Sequence, residues 1–461
     1  MNLYLSPTSG GYRGLFMKLW DKGYKINKLI EQFTIGKDAE LDVLLAEAEV
    51  LGTLAHIHML ESIGLVEKHE LGLLVKELKN IYKSLDKSNF IIEDGIEDVH
   101  SQMELLLTRK LGDIGKKVHS GRSRNDQVLV DIKLYFRKQI SEIADLVKIL
   151  FQTLQFLSEK YKEYLLPGYT HLQVATPSSF GLWFGAYAES LVDDMIQLQA
   201  AYKITNQNPL GSAAVSGSSF PLNRTMTAKL LGFDDLNYNV VYAHMSRGKT
   251  EKALAFALSS FGATLSKMAM DICLFMSQNF GFVNFPDELT TGSSIMPHKK
   301  NPDVFELIRG KCNSIQALPN EISMVTSNLP SGYHRDFQLL KEIMFPAIDE
   351  MKNCLVMANI MLMNIRVKEN ILNDDKYLYL FSVEEVNNEV LNGMPFRDAY
   401  KKVADDIKNG KFNPSKQIHH THEGSIGNLC NKEIADKMMN VYNSFHFEVA
   451  EEAIEKLLTK S

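Results

Sequence analysis

Apolar residues recur at intervals of three and four along most of this chain, the spacing that lines one face of an α-helix. Leu41, Leu44, Leu45, Ala48, Leu51 and Leu54 follow it across 38–63. The same spacing predicts helices over 66–85 and 97–111, the second with Val99, Met103, Leu106 and Leu107 on its apolar side. The clearest stretch is 128–164, which contains neither Gly nor Pro. There Phe136, Ile140, Ile143, Val147, Leu150 and Leu154 step alternately by four and three, a heptad seam. A helix of that length runs about 55 Å and belongs in an extended bundle. Pro167-Gly168 stops it. Long helical patterns return over 178–205, 248–280, 302–318 and 338–373. No alternating strand series and no βαβ rhythm stands out between them. Antiparallel packing of five such helices accounts for their length and seams, so the expected fold is all-α.

Polar segments separate the helices and hold the candidate chemistry. HSGRSRNDQ (119–127) carries only polar side chains or none. Arg122 and Arg124 can donate in forks to carboxylates, and Asn125 and Gln127 both donate and accept; a plain solvent loop has the same composition. GYTHLQVATP (168–177) sets Tyr169, Thr170, His171 and Gln173 in a turn region after the helix stop. A lone histidine there is as readily structural as catalytic. In TTGSSIMPHKKNPDVFE (290–306), Gly292 frees the backbone beside Ser293 and Ser294. Lys299 and Lys300 add positive charge, and Asn301-Pro302 reads as an N-cap and first-turn proline. Asp303 and Glu306 then fall at the positive end of a helix dipole. A helix N-terminus with lysines and hydroxyls suits a carboxylate or phosphate; the bland alternative is a solvated lysine turn. NLPSGYHRDFQLLKE (328–342) adds Tyr333, Arg335, Asp336, Gln338 and Lys341; an ordinary charged helix entry has the same composition.

Composition narrows the choice. The chain has 461 residues, 45% hydrophobic and 23% charged, as in a soluble globular protein of two or three domains. A net charge of −6 argues against nucleic acid or an anionic membrane as partner, and no apolar run is expected to reach the length of a membrane span. The four cysteines form no CxxC pair. A reducing, cytoplasmic setting is therefore expected, without zinc or disulfides. HHTHEG (419–424) is a weak ligand pattern. No Gly-rich dinucleotide loop or Walker loop is present. Neither cofactor nor metal is expected, so the chemistry must come from side chains. The inventory suits proton abstraction beside a carboxylate, with the developing charge held by cations and a helix N-terminus.

GSSIMPHKKNPD resembles the signature loop of the fumarase/aspartase superfamily. HSGRSRNDQV, GYTHLQ, NPLGS and GMPFR, with KLWDKG, FTIGKD and LDVLLAEAEVLGTLAHIHML near the start, are similar to the argininosuccinate lyases within it. The likeness covers nearly the whole chain from Met17 onward. It implies a fumarase/aspartase-like fold of three helical domains: 17–121, a central 122–375 with the long-helix bundle and active-site loops, and a small 376–461. Residues 1–16 are expected to be a loose, dispensable leader. The resemblance further implies a homotetramer with a shared helical core, its active sites built from several subunits. The implied reaction is cofactor-independent cleavage of argininosuccinate to L-arginine and fumarate, the last step of arginine biosynthesis. Ser293 and His171 occupy the two catalytic positions, and Glu306 resembles the acid that pairs with His171. One of the two takes the Cβ proton and the other serves the leaving guanidinium; which does which is left open. Lys299 and Asn301 match carboxylate-holding positions. Asn125, Thr170, Tyr333, Gln338 and Lys341 match substrate-contacting ones, and Ser123 and Arg124 lie in the same motif as Asn125.

The chain departs from the family pattern at His298, where Gln is usual, and at Gly36, near a usual serine. It departs again at Tyr242, Met245 and Gly248 within NVVYAHMSRG (239–248). These changes bear on recognition of the arginine end. A sister enzyme such as adenylosuccinate lyase or fumarase is the near alternative, and HSGRSRNDQ speaks against it. A non-catalytic helical protein on the same fold, as among the delta-crystallins, is the other; retention of Ser293, His171, Lys299 and Asn301 speaks against that.

Overall fold

A computed structural model describes residues 27–85, 90–292 and 294–459. The leader 1–16, the KLWDKG motif and Ser293 lie outside the described residues. The helical expectation holds along the chain. The N-terminal helices are α1 (Ala46–Ser62), α2 (Lys68–Leu85) and α3 (Val99–Leu111). The bundle is built from α4 (Arg124–Lys160), α5 (Phe180–Thr205), α6 (Lys249–Met276), α7 (Asp303–Ile315) and α8 (Leu339–Met363).

Each bundle helix sends a phenylalanine into one shared core: Phe136, Phe184, Phe261, Phe305 and Phe345, all buried. Burying one such ring stabilises by roughly 1.5–3 kcal/mol, and the heptad seam on α4 is what aims Phe136, Ile140 and Val147 inward. Partners fix the helix directions. Lys352 on α8 bonds Gln139 and Glu142 on α4, and Thr153 bonds Asn359 at 2.6 Å, so α4 and α8 run the same way. Arg309 on α7 meets Met270 on α6 at 3.1 Å and Asn313 meets Ser266 at 2.6 Å, so α7 runs against α6, and Lys311 ties α7 to Glu350 on α8.

A second core lies between α1, α2 and α3, around Leu54, Leu74, Leu78 and Leu107. The C-terminal helix, α9 (Phe447–Thr459), adds Leu457 to it. This contact needs Gly232 (φ +66°), where a Cβ would lie 2.7 Å from Ala453. A small third cluster, Val386, Ala399 and Val403, joins two helices near the C-terminus.

Three expectations change on contact with the structure. Helix α4 begins at Arg124, inside the polar run, and Ser123 is its N-cap, accepting from the Asn125 N–H at 3.3 Å. The turn region around His171 is a β-hairpin, β1 (Leu165–Thr170) and β2 (Gln173–Ser179), with a bulge between Pro167 and Tyr169. Gly168 is required there, because a Cβ would lie 2.7 Å from the Thr176 carbonyl oxygen. Finally, Asp38–Ser62 and Lys249–Met276 are long and apolar enough to cross a membrane by length and composition. In the fold, 83% and 56% of their apolar windows are buried inside the protein, as core helices are.

Candidate active site

The polar run 119–127 is not a solvent loop. Most of its side chains point into the protein and find partners far away in sequence. Arg122 is buried and donates to Thr53 at 2.8 Å and to the Val118 carbonyl at 3.1 Å. Gln127 donates to Glu49 at 3.1 Å. Asp126 is fully buried and accepts from the Gly211 N–H (3.1 Å), the Ser212 N–H (3.2 Å) and the Ser212 hydroxyl (3.0 Å). Burial lifts the Asp126 carboxyl to about 7, against the pull of those donors and of Arg122. The first turn of α4 is thus anchored to α1 and to the NPLGS segment at once.

That turn forms one wall of a cavity of about 140 Å³. Six residues singled out from the sequence meet here: Arg124, Asn125, Tyr333, Arg335, Gln338 and Lys341. Arg124 pairs with Glu97 at 3.1 Å and with Asp98. Gln338 donates to the carbonyls of Ile35 (2.8 Å) and Thr34 (3.2 Å). Lys341, buried, sits between Asp38 (2.6 Å) and Asp42. Burial alone would depress its ammonium, but Asp42 and Asp38 outweigh that and raise it. Arg247, at the start of α6, donates to Glu251 at 2.8 Å and to the Phe337 carbonyl at 2.8 Å. The cavity therefore holds cations that are already matched to protein carboxylates.

Sequence reasoning missed Asp38, Asp42, Asp98 and His100, which also line this cavity. The EDVH string at 97–100 was the available signal. His100 donates through Nδ1 to Glu49 at 2.7 Å and lies 3.5 Å from Asp131. Burial opposes its charging, yet the Glu49 carboxylate raises the imidazole overall, while burial and Glu49 push Asp131 well up. Among the described residues, Glu49, His100 and Asp131 are the one group whose potential metal-ligand atoms lie within 4.8 Å of one another. Both Glu49 oxygens already take hydrogen bonds, from Thr53, Gln127 and His100. Arg122 stands 3.8 Å away. These donors suit a buried charge network better than a metal shell. In HHTHEG, His420 meets Glu384 at 3.0 Å instead.

The other candidates lie elsewhere. Ser123 caps α4 and does not line the cavity. Thr170 and His171 are exposed at the hairpin tip. His171 and Leu172 both have left-handed backbones, with φ of 56° and 59°. Paired positive φ values are what a tight hairpin turn demands, and Asn or Gly normally supply them. Strain of this kind in non-glycine residues clusters at functional sites. Lys299 and Asn301 belong to a loop closed by the pairing Thr291↔Asn301 and Gly292↔Lys300. Asn301 is in that strand pair and does not cap α7, whose N-terminal position is taken by Pro302 without a side-chain cap. Glu306 is exposed in the first turn of α7.

Apart from Ser123, these groups stand far from the cavity within one chain. The 37 residues of α4 carry it about 55 Å. The Phe180 and Gly181 N–H groups bond the Tyr164 and Tyr161 carbonyls at 2.9 and 3.1 Å, pinning the hairpin base to the C-terminal end of α4. The strand from Leu165 to His171 reaches at most about 20 Å, which leaves His171 at least about 25 Å from Asn125. Glu306 also lies toward the end of the bundle remote from the cavity, because α7 runs against α6 and Arg247, which lines the cavity, is at the start of α6.

Similarity to known proteins agrees with this architecture. A family model described as lyase matches residues 23–317. An argininosuccinate lyase from Bacteroides fragilis is 63% identical over 441 residues, covering 96% of this chain and 99% of that protein. One from Bacteroides thetaiotaomicron is 64% identical with the same coverage. One from Thermotoga neapolitana is 37% identical, over 84% of this chain and 98% of its own. Among solved structures, an EDDS lyase variant with bound fumarate superposes with a TM-score of 0.75 at 19% identity, covering 95% of this chain and 94% of that one. A class II fumarase from Schistosoma mansoni gives 0.68 at 16% identity, with coverage of 82% and 88%. At those identities the structures speak for the fold alone. The relatives and the family model together make this chain a member of the lyase family of the fumarase/aspartase superfamily, and within it of the argininosuccinate lyases.

Proposed function

We propose that the protein cleaves argininosuccinate into L-arginine and fumarate by β-elimination, as the last step of arginine biosynthesis, in sites each assembled from several chains of a homotetramer. A proton leaves Cβ of the succinyl group, and the charge spreads onto the neighbouring carboxylate. The C–N bond then breaks, its electron pair goes to the guanidino nitrogen, and that nitrogen takes a proton as arginine departs. Ser293 and His171 divide the two proton transfers, with Glu306 orienting His171. Lys299 and Asn301 hold the carboxylate on which charge develops. Ser123, Arg124, Asn125, Thr170, Tyr333, Gln338 and Lys341 bind and align the substrate. No redox change occurs, so side chains suffice in this scheme. The cytoplasm is the setting that four unpaired cysteines favour. The domain divisions at 17–121, 122–375 and 376–461 are part of the same proposal.

One observation carries the shared-site reading: the separation of at least about 25 Å between Asn125 and His171. Argininosuccinate is too short for one chain to use both ends of α4. Exposed Ile149 and Phe156 on α4, and Ile360 and Met363 on α8, give the bundle an apolar outer face suited to further chains.

The direct assay follows fumarate absorbance with argininosuccinate, adenylosuccinate and malate in parallel; turnover of adenylosuccinate or malate alone would overturn the assignment. The architecture is tested by mixing. Asn125→Ala and His171→Asn are each expected to be nearly inactive. Unfolded together in equal amounts and reassembled, they should recover about a quarter of wild-type activity, because each residue of a site is intact half the time. Differently tagged subunits that co-elute without any recovered activity would place each site within one chain.

A further inference from the structure

Glu97 does not line the substrate cavity, yet it joins two of the cavity's walls. Its side chain is only 7% exposed. One carboxylate oxygen meets Arg335 at 2.6 Å, and the other meets Arg124 at 3.1 Å. Arg124 begins α4, next to Asn125. Arg335 belongs to the segment that carries Tyr333, Gln338 and Lys341. The linkage continues on both sides. Arg335 donates through Nε to Gln338 at 3.2 Å, and Gln338 donates to the carbonyls of Thr34 and Ile35. On the other side, Asp98 pairs with Arg124 and caps α3 by accepting from the Ser101 N–H at 2.7 Å.

We propose that Glu97 is a positioning residue for substrate binding, clamping Arg335 to Arg124 so that the Tyr333–Lys341 wall is held against Asn125. The proposal rests on the argininosuccinate lyase reading of this cavity. An ion pair in open solvent would hold little. Glu97 differs because it is nearly buried and because one carboxylate is divided between two guanidinium groups on separate segments. Burial works against its charge, but Arg124 and Arg335 outweigh that and keep the carboxyl below its ordinary range. Neutralising it removes both links at once and leaves two arginines facing each other across the joint. Glu97 acts only on the binding wall of its own chain, while the groups assigned to bond cleavage come from other chains in the proposed site, so the loss should fall on binding and spare the chemical step.

The test is steady-state kinetics of the full-length protein with argininosuccinate, alongside thermal unfolding. Glu97→Gln is expected to raise KM about tenfold or more while kcat stays within about threefold. Glu97→Asp, which keeps the charge on a shorter arm, should fall between Glu97→Gln and wild type. Arg335→Gln should raise KM in the same direction. The double variant should be little worse than Glu97→Gln alone, since both changes open the same joint. An unchanged KM in Glu97→Gln, a fall in kcat alone, or fully additive effects in the double variant would overturn the proposal. Should Glu97→Gln fail to fold, Arg335→Gln alters a half-exposed side chain and decides the matter alone: an unchanged KM there counts against the clamp. A wild-type protein without turnover of argininosuccinate would instead overturn the functional reading on which the clamp depends.

Discussion

Replacing Asp38 with asparagine is expected to stabilise this protein at neutral pH, although the change removes a salt bridge. Asp38 and Asp42 share the single ammonium of Lys341, and the side chains of Lys341 and Asp38 are only 4% and 14% exposed. Lys341 needs one carboxylate; the second is surplus. Burial lifts the Asp38 carboxyl, Lys341 pulls it back, Asp42 pushes it up again, and it settles at about 6 against an ordinary 3.8. A carboxyl raised in the folded state binds more protons folded than unfolded, so its contribution to stability falls as pH rises from the unfolded value through the folded one. A shift of roughly two units is worth about 3 kcal/mol once both states are ionised. Asparagine keeps the shape of the neutral acid. The variant should therefore exceed wild type by about 3 kcal/mol near pH 7.5, by about half of that near pH 5, and by almost nothing below about pH 4. Urea unfolding at matched protein concentration measures this, the matching being needed because an oligomer's midpoint depends on concentration. A variant less stable than wild type at pH 7.5, or a difference that ignores pH, would refute the reasoning. Weaker substrate affinity alongside the gain would mark Asp38 as a residue kept for function at the expense of stability.

Two further outcomes follow from other parts of the molecule. Ser293→Ala should lower kcat by several orders of magnitude and leave thermal unfolding almost unchanged, since only a hydroxyl in a polar segment is lost; a fall of less than about tenfold would remove Ser293 from the chemistry. Gly248→Asp, at a position where the chain departs from the family pattern, should destabilise by about 2 kcal/mol in thermal or urea unfolding. Gly248 has φ +77°, and a Cβ there would lie 2.7 Å from a Thr326 methyl; equal stability would show that the segment relaxes freely.

The helices were legible because a heptad seam records a buried face in local spacing. Phe136, Ile140 and Val147 are all buried where the seam put them. Polar positions carry no such local record. Arg122 and Asp126 look like loop residues because the partners that bury them, Thr53 and Ser212, lie 69 and 86 positions away. The hairpin escaped notice for a related reason. LLPGYT and QVATPSS hold two prolines and a bulge glycine in place of regular alternation, and the turn is His171-Leu172, without the usual Asn or Gly. Asn301 was misread as a cap because Asn-Pro before an acidic turn normally is one; here the strand pairing with Thr291 takes it first. The cavity's acids were missed because each pairs with a cation from another segment, which no local pattern displays.

The two ends of α4 differ in a way that bears on how a complete site forms. At the N-terminal end, four of the residues 123–127 are each fixed by a separate partner: Ser123 by the Asn125 N–H, Arg124 by Glu97 and Asp98, Asp126 by Gly211 and Ser212, and Gln127 by Glu49. Such a wall is rigid before any substrate arrives, which favours binding in one orientation. At the C-terminal end the hairpin holds His171 in a strained turn, fully presented to the outside. Strain is retained where the surrounding structure over-determines it, yet residues 170–173 at the hairpin tip are exposed. Contacts from a neighbouring chain would supply that constraint, and would set His171 against a cavity wall that its own helix keeps roughly 25 Å or more away. On this view the length of α4 is itself functional: it prevents a chain from completing its own site, so that catalysis requires assembly.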